Sequence, residues 1–106
     1  MSRLTKLISL AALLVAPSMA TAAEVNVVSW GGAYTESQKL GYGDPYQEMS
    51  GVQVNWIDYS GGLSEIKAQV ESGAITWDII DVYARDTIIG CDEGLFVEFD
   101  FDNDFP

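Results

Sequence analysis

No histidine occurs anywhere in this chain. The usual general base for a serine or cysteine nucleophile is therefore missing, and nothing else in the sequence argues for catalysis. Basic residues are scarce as well, with five Lys and Arg against sixteen Asp and Glu, a net charge of −11. A surface of that sign repels nucleic acid and anionic membranes and concentrates cations around it. Acidity alone does not define a cationic ligand, because it also serves solubility. Cysteine is nearly absent: Cys91 stands alone. Such a residue is a free thiol, half of an intermolecular bridge, or a half-cystine whose partner lies beyond Pro106. The third option is favoured, since Glu98–Pro106 ends with no closing helix or strand and the chain reads as truncated.

Long apolar runs are also lacking. Leu7–Ala16 is about 10 residues, half the roughly 20 needed to span a bilayer. Arg3 and Lys6 precede it, and Pro17 separates it from the small residues Ser18, Ala20, Ala22 and Ala23. This is the pattern of a cleavable export signal. Ala20-Thr21-Ala22 fits the cleavage site, with Ser18-Met19-Ala20 as the rival; no Cys follows either, which disfavours a lipid anchor. Residues 1–22 are expected to be the signal and 23–106 the exported, soluble, periplasmic part. Cleavage would remove two basic residues and no acidic one, leaving 3 basic against 16 acidic, a net charge of −13 on 84 residues.

What is present reads as the start of a parallel α/β sheet. Val25–Trp30, Val52–Asp58 and Trp77–Tyr83 are the expected strands. The first and third are near-continuous apolar runs, as in strands covered on both faces, whereas the second alternates and belongs nearer an edge. Tyr34–Ser50 is too long for a hairpin turn, and Tyr42, Tyr46 and Met49 form a helical stripe there. Gly41 and Gly43 weaken that helix by up to about 1 kcal/mol each, and Pro45 kinks or breaks it. Leu63, Ile66 and Val70 mark a second helix, started by Ser60-Gly61-Gly62 and stopped by Gly73. A further helical piece spans Ala84–Glu93 up to Gly94, and Leu95–Asp100 is expected to be extended.

Parallel strands joined by helices gather their following loops on one edge, where ligands bind. Those loops carry Trp30-Gly31-Gly32-Ala33-Tyr34, Asp58-Tyr59-Ser60-Gly61-Gly62 and Asp81-Val82-Tyr83-Ala84-Arg85. Aromatic faces attract an organic ammonium, and a carboxylate adds a charge-assisted hydrogen bond. Trp30, Tyr34, Tyr59 and Tyr83 as walls, with Asp58 or Asp81 as anchor, would suit an amine; the bland alternative is that these rings pack the sheet edge. Gly31-Gly32 and Gly61-Gly62 could each hold an anion on backbone N–H groups, but neither G-x-G-x-x-G nor a P-loop is present, and no cofactor is expected. Asp100, Asp102 and Asp104 imitate the start of a calcium loop, yet Phe105 stands where that loop needs Gly. No metal site is expected.

The stretches V-V-S-W-G-G-A-Y-T-E-S-Q-K, D-Y-S-G-G-L-S-E-I-K-A-Q-V-E-S-G, W-D-I-I-D-V and G-C-D-E-G-L-F occur in that order. Together they resemble the N-terminal part of ABC-transporter substrate-binding proteins, with the spermidine/putrescine-type periplasmic proteins as the nearest branch. The resemblance covers Glu24 to about Asp100. It implies the first part of lobe one of a two-lobed, hinged type II fold, which closes on a polyamine-like ligand and presents it to an inner-membrane permease. Carried over by position, it implies ligand contacts from Trp30, Tyr34, Tyr59, Ser60, Asp81 and Tyr83, and a partner for Cys91 in the region that follows. Tyr83 stands where an acidic residue is expected in this branch, which bears on the ligand's charge. Ferric iron, amino acids and sugars are the other ligands weighed, and an exported enzyme with its catalytic part beyond Pro106 is the remaining alternative.

Overall fold

The computed structural model describes residues 21–106. The expected export signal lies outside the described residues, apart from its last two positions. The elements run β1 (Glu24–Ser29), α1 (Gly32–Gln38), a π-helical turn (Lys39–Gly43), α2 (Asp44–Ser50), β2 (Gln53–Asp58), α3 (Ser64–Ser72), β3 (Ile79–Ile80) and α4 (Ala84–Asp92). The three strands form one parallel sheet in the order β2-β1-β3. β1 is central, which explains its apolar run: Val28 is fully buried and Val27 nearly so. β2 occupies an edge, as its alternation requires. The register pairs Glu24 with Gln53 through to Ser29 with Asp58, so β1 and β2 end together and set Trp30 beside Tyr59.

The third strand is shorter than the apolar run from Trp77 to Tyr83 implies. Backbone bonds from Asp78 N–H to Asn26 O and from Asp81 N–H to Val28 O extend the pairing by one residue on each side. It stops there because the Asp78 carboxylate, rather than a backbone carbonyl, accepts from Asn26 N–H at 2.7 Å. The Asn26 side chain meanwhile donates to Thr76 O. Nor is β3 covered on both faces, since Ile79 is exposed.

The first connection is helical throughout but begins earlier, at Gly32, and carries a wide turn at Lys39–Gly43. There Asp44 N–H reaches back five residues to Lys39 O. Pro45 has no N–H to offer the preceding turn and sits at the start of α2, where none is needed. Gly43 has a packing purpose that its helix propensity hides. A Cβ there would lie 2.6 Å from Trp56 Cζ2, so only glycine lets the helix rest on the β2 indole. That contact fixes which face turns inward: Thr35, Gln38 and Gly43 are buried. The Tyr42, Tyr46 and Met49 stripe lies on the exposed side of this helical connection.

α3 falls where its apolar spacing places it, and α4 covers the helical piece expected before Gly94. Ile66 is 3% exposed beneath α3, and Gly73 ends that helix at φ 70 in the left-handed region, where glycine carries no Cβ penalty. After Gly94 the chain folds back instead of forming a strand: Leu95 N–H bonds to Gly90 O, and Phe96 packs on Gly90. The Asp100 carboxylate is held by Asn103 Nδ2 and the Asp102 N–H, which lowers its pKa. Among the described residues no acidic group is arranged to hold a metal ion, and no helix is long and apolar enough to cross a membrane.

Candidate functional site

β1 ends in Ser29, and the next residue, Trp30, is half-buried at the centre of an aromatic cluster. Its ring centroid lies 6.2 Å from that of Tyr34, 6.0 Å from Tyr59 and 4.4 Å from Tyr83, each pair edge to face. Such packing turns electropositive ring edges onto electronegative faces. The four rings come from the loop after β1 and the α1 that follows it, the loop after β2 and the loop after β3, so the three connections that the topology gathers do meet. Trp77, which sequence reasoning assigned to a strand, joins the cluster 5.5 Å from Tyr59. Tyr34 and Tyr83 keep about half of their surface open to solvent, 55% and 50%. Tyr83 also lies against the glycine loop, since a Cβ on Gly61 would sit 3.3 Å from its ring. The Trp30 indole N–H is buried with no acceptor among the described residues.

Beneath the rings lies a polar clasp built on Asp81. Its Oδ2 accepts from Gln38 Nε2 at 2.6 Å and lies 2.8 Å from Ser29 Oγ. Ser29 Oγ is also 2.5 Å from Gln38 Oε1, so its single proton is shared between two acceptors. The Tyr59 hydroxyl donates to the Asp81 backbone carbonyl. Ser29 is fully buried, Gln38 is 8% exposed and Asp81 is half-buried, and this network ties the ends of β1 and β3 to α1. Burial, and then the nearby Asp81 and Asp86 carboxylates, raise the Tyr59 pKa above the ordinary tyrosine value.

The remaining site residues are placed differently. Asp58 is exposed, next to Tyr59, with Oδ1 3.5 Å from Thr35 Oγ1. Thr35 Oγ1 in turn accepts the Gly31 N–H at 2.9 Å, which pins the loop carrying Trp30. A Cβ on Gly31 would lie 3.0 Å from Asp58 Oδ2, and φ there is 81, so glycine is required twice over. Ser60 is exposed beyond the cluster, and Cys91 is exposed on α4 with no second cysteine among the described residues. Ser29, Gln38, Thr35 and Trp77 were not singled out from the sequence. The one signal for Ser29 was a hydroxyl closing an otherwise apolar strand. Asp86, also unremarked, is 6% exposed near the start of α4, and its Oδ2 has no partner among the described residues. Its Oδ1 lies 3.4 Å from Arg85 Nε, and the Arg85 guanidinium carbon sits 5.7 Å from the Tyr83 ring centroid.

An open apolar groove of about 480 Å³ lies elsewhere, between α3, β3 and the returning C-terminal stretch. Ile66, Val70, Ile79, Val82 and Phe96 are among the side chains that line it. Its lining is mainly apolar, with Gln69, Asp78 and Thr87 the polar members.

No protein-family model matches the chain. Over 85 residues, 80% of the chain, it is 36% identical to the gamma-aminobutyric acid-binding protein of Pseudomonas aeruginosa. Among solved structures it resembles the periplasmic binding protein AgtB of A. tumefaciens R10 in complex with agropinic acid, with a TM-score of 0.70 and 32% identity over 78% of the chain. An ABC transporter substrate-binding protein from Bradyrhizobium japonicum USDA 110 gives a TM-score of 0.72 and 32% identity over 76%. The chain spans about a quarter of each of these proteins, 24%, 26% and 25%. Its similar proteins are thus binding proteins of the transport class, not enzymes. The α/β unit with a parallel sheet and flanking helices is shared with them, as expected for part of a type II periplasmic-binding-protein fold. The ligands in their names are not polyamines.

Proposed function

We propose that this chain forms part of the ligand cleft of an exported periplasmic receptor, one that captures a small organic ammonium and delivers it to an ABC permease. The observation that carries this reading is the cluster of four aromatic rings, Trp30 with Tyr34, Tyr59 and Tyr83, at the carboxyl edge of a parallel sheet. Each ring face attracts an ammonium by about 0.5–2 kcal/mol, more when the group is desolvated. The strong negative charge of the chain draws such a ligand in. Asp58 is the freer of the two candidate anchors. Asp81 already spends Oδ2 on Gln38 and Ser29, and holds Tyr59 through its backbone. Spermidine- or putrescine-like polyamines are the fully cationic members of this ligand class. An ω-amino acid, with one ammonium and one carboxylate, is the member suggested by the Pseudomonas relative's name.

Titration calorimetry on the full gene product, with putrescine and gamma-aminobutyric acid, tests the reading. Heat from at least one of them is expected, with Trp30→Ala weakening it by about 0.5–2 kcal/mol. No binding of either amine defeats the proposal. Unchanged affinity together with lowered stability in Trp30→Ala would return the indole to a purely packing role.

A further inference from the structure

We infer that Arg85 is a specificity residue, a carboxylate clamp that makes the site prefer a ligand with an ammonium at one end and an acid at the other. The inference rests on the ammonium-binding reading above and narrows its ligand class. A chain of net charge −11 opposes an acid, and a cation standing at the site itself offsets that repulsion. Three cations lie among the described residues. Lys39 is 3.9 Å from Glu36 on the same helical stretch, and Lys67 is 2.9 Å from Glu93 across α3 and α4. Arg85 alone among these touches the aromatic cluster, its guanidinium over the Tyr83 ring at 5.7 Å. That ring packs directly on Trp30. Tyr83 and Arg85 together also border an open hollow at this edge of the molecule.

The guanidinium is oriented from behind. Asp86, 94% buried, meets it through Nε at 3.4 Å, which leaves the terminal Nη pair, the fork that matches a carboxylate in two parallel bonds. Four covalent bonds separate the nitrogen from the carboxyl carbon of gamma-aminobutyric acid, an extended reach of about 5 Å from ordinary bond lengths. The 5.7 Å between the Tyr83 ring and Arg85 is a direct cation–π contact, so such a molecule would lie alongside the pair, its acid on the fork and its ammonium on a ring face that Arg85 leaves open. A diamine would instead bring a second positive charge against Arg85.

The test is titration calorimetry of the full gene product with gamma-aminobutyric acid, n-butylamine and putrescine, repeated on Arg85→Gln and Arg85→Lys. The Arg85 side chain is 77% exposed, yet it is the partner of buried Asp86, so a melting curve on each variant separates lost folding from lost binding. The amino acid is expected to bind tightest. Arg85→Gln should weaken it by about 10- to 100-fold while leaving n-butylamine unchanged, and Arg85→Lys should recover part of the loss. Tighter wild-type binding of putrescine or n-butylamine, or full retention of amino-acid affinity in Arg85→Gln, overturns the inference and leaves the ammonium reading standing. If none of the three binds, both fall together.

Discussion

Asp81 was read from the sequence as a ligand anchor, and the structure makes it the keystone of a buried clasp; two substitutions separate these roles. Asp81→Ala removes the acceptor of Gln38 Nε2, and Gln38 is 8% exposed, so its amide is left with a buried, unmade bond. Leaving such a donor unsatisfied costs about 1–3 kcal/mol, and losing a bond to a charged acceptor brings the total to about 2–4 kcal/mol. Ser29 suffers less, because its hydroxyl can turn to Gln38 Oε1, 2.5 Å away. Asp81→Asn keeps an oxygen in place and loses only the charge assistance. Charged bonds are about twice as strong as neutral ones, so the cost is about 1 kcal/mol over the two contacts. The Tyr59 bond to the Asp81 backbone carbonyl survives in both variants, which keeps the aromatic cluster assembled. Urea unfolding of the full gene product should therefore rank wild type above Asp81→Asn above Asp81→Ala. Calorimetry with the amines should show Asp81→Asn binding nearly as well as wild type. The reasoning is refuted if Asp81→Ala is as stable as wild type, or if Asp81→Asn abolishes binding at unchanged stability. The second result would make Asp81 the anchor after all.

Two glycines in the first helical connection should respond with opposite signs. Gly43→Ala places a Cβ 2.6 Å from Trp56 Cζ2; overpacking of about 1–3 kcal/mol, offset by about 1 kcal/mol of helix propensity, leaves a net loss of up to about 2 kcal/mol. Gly41→Ala meets nothing within 4 Å and should stabilise by up to about 1 kcal/mol. Equal shifts in the two urea midpoints would count against the packing of this helix on β2. Tyr59 makes stability pH-dependent in the alkaline range. Its folded pKa lies above 10.0, so the unfolded chain releases the phenolic proton first, and the contribution is complete below that pH and fades as pH rises through the folded value. Tyr59→Phe should flatten this part of a stability–pH profile; a profile identical to wild type would show that Tyr59 is not the titrating group.

How far the sequence carries can be judged element by element. β1 and β2 follow from an apolar run and an alternating one, α3 from apolar spacing closed by Gly73, and the end of α4 from Gly94. These are local rules, in which the period of the side chains decides the element. The meeting of Trp30, Tyr34, Tyr59 and Tyr83 also follows, because parallel strands joined by helices must bring their trailing loops to one edge. The same rules could not set the length of β3, since a side chain fifty-two residues along from Asn26, that of Asp78, displaces the backbone acceptor. Nor could they choose the buried face of the first helical connection, which depends on one glycine fitting one indole across the sheet. Spacing cannot show that Ser29, Gln38 and Asp81 share a proton network, or that Asp86 is buried behind Arg85. The sequence by itself determined the class of the chain, the order of its elements and the aromatic character of its edge. Only the tertiary structure decided which carboxylates are spent inside the fold and which polar groups face a ligand, because hydrogen bonds and burial depend on distances that chain position does not set.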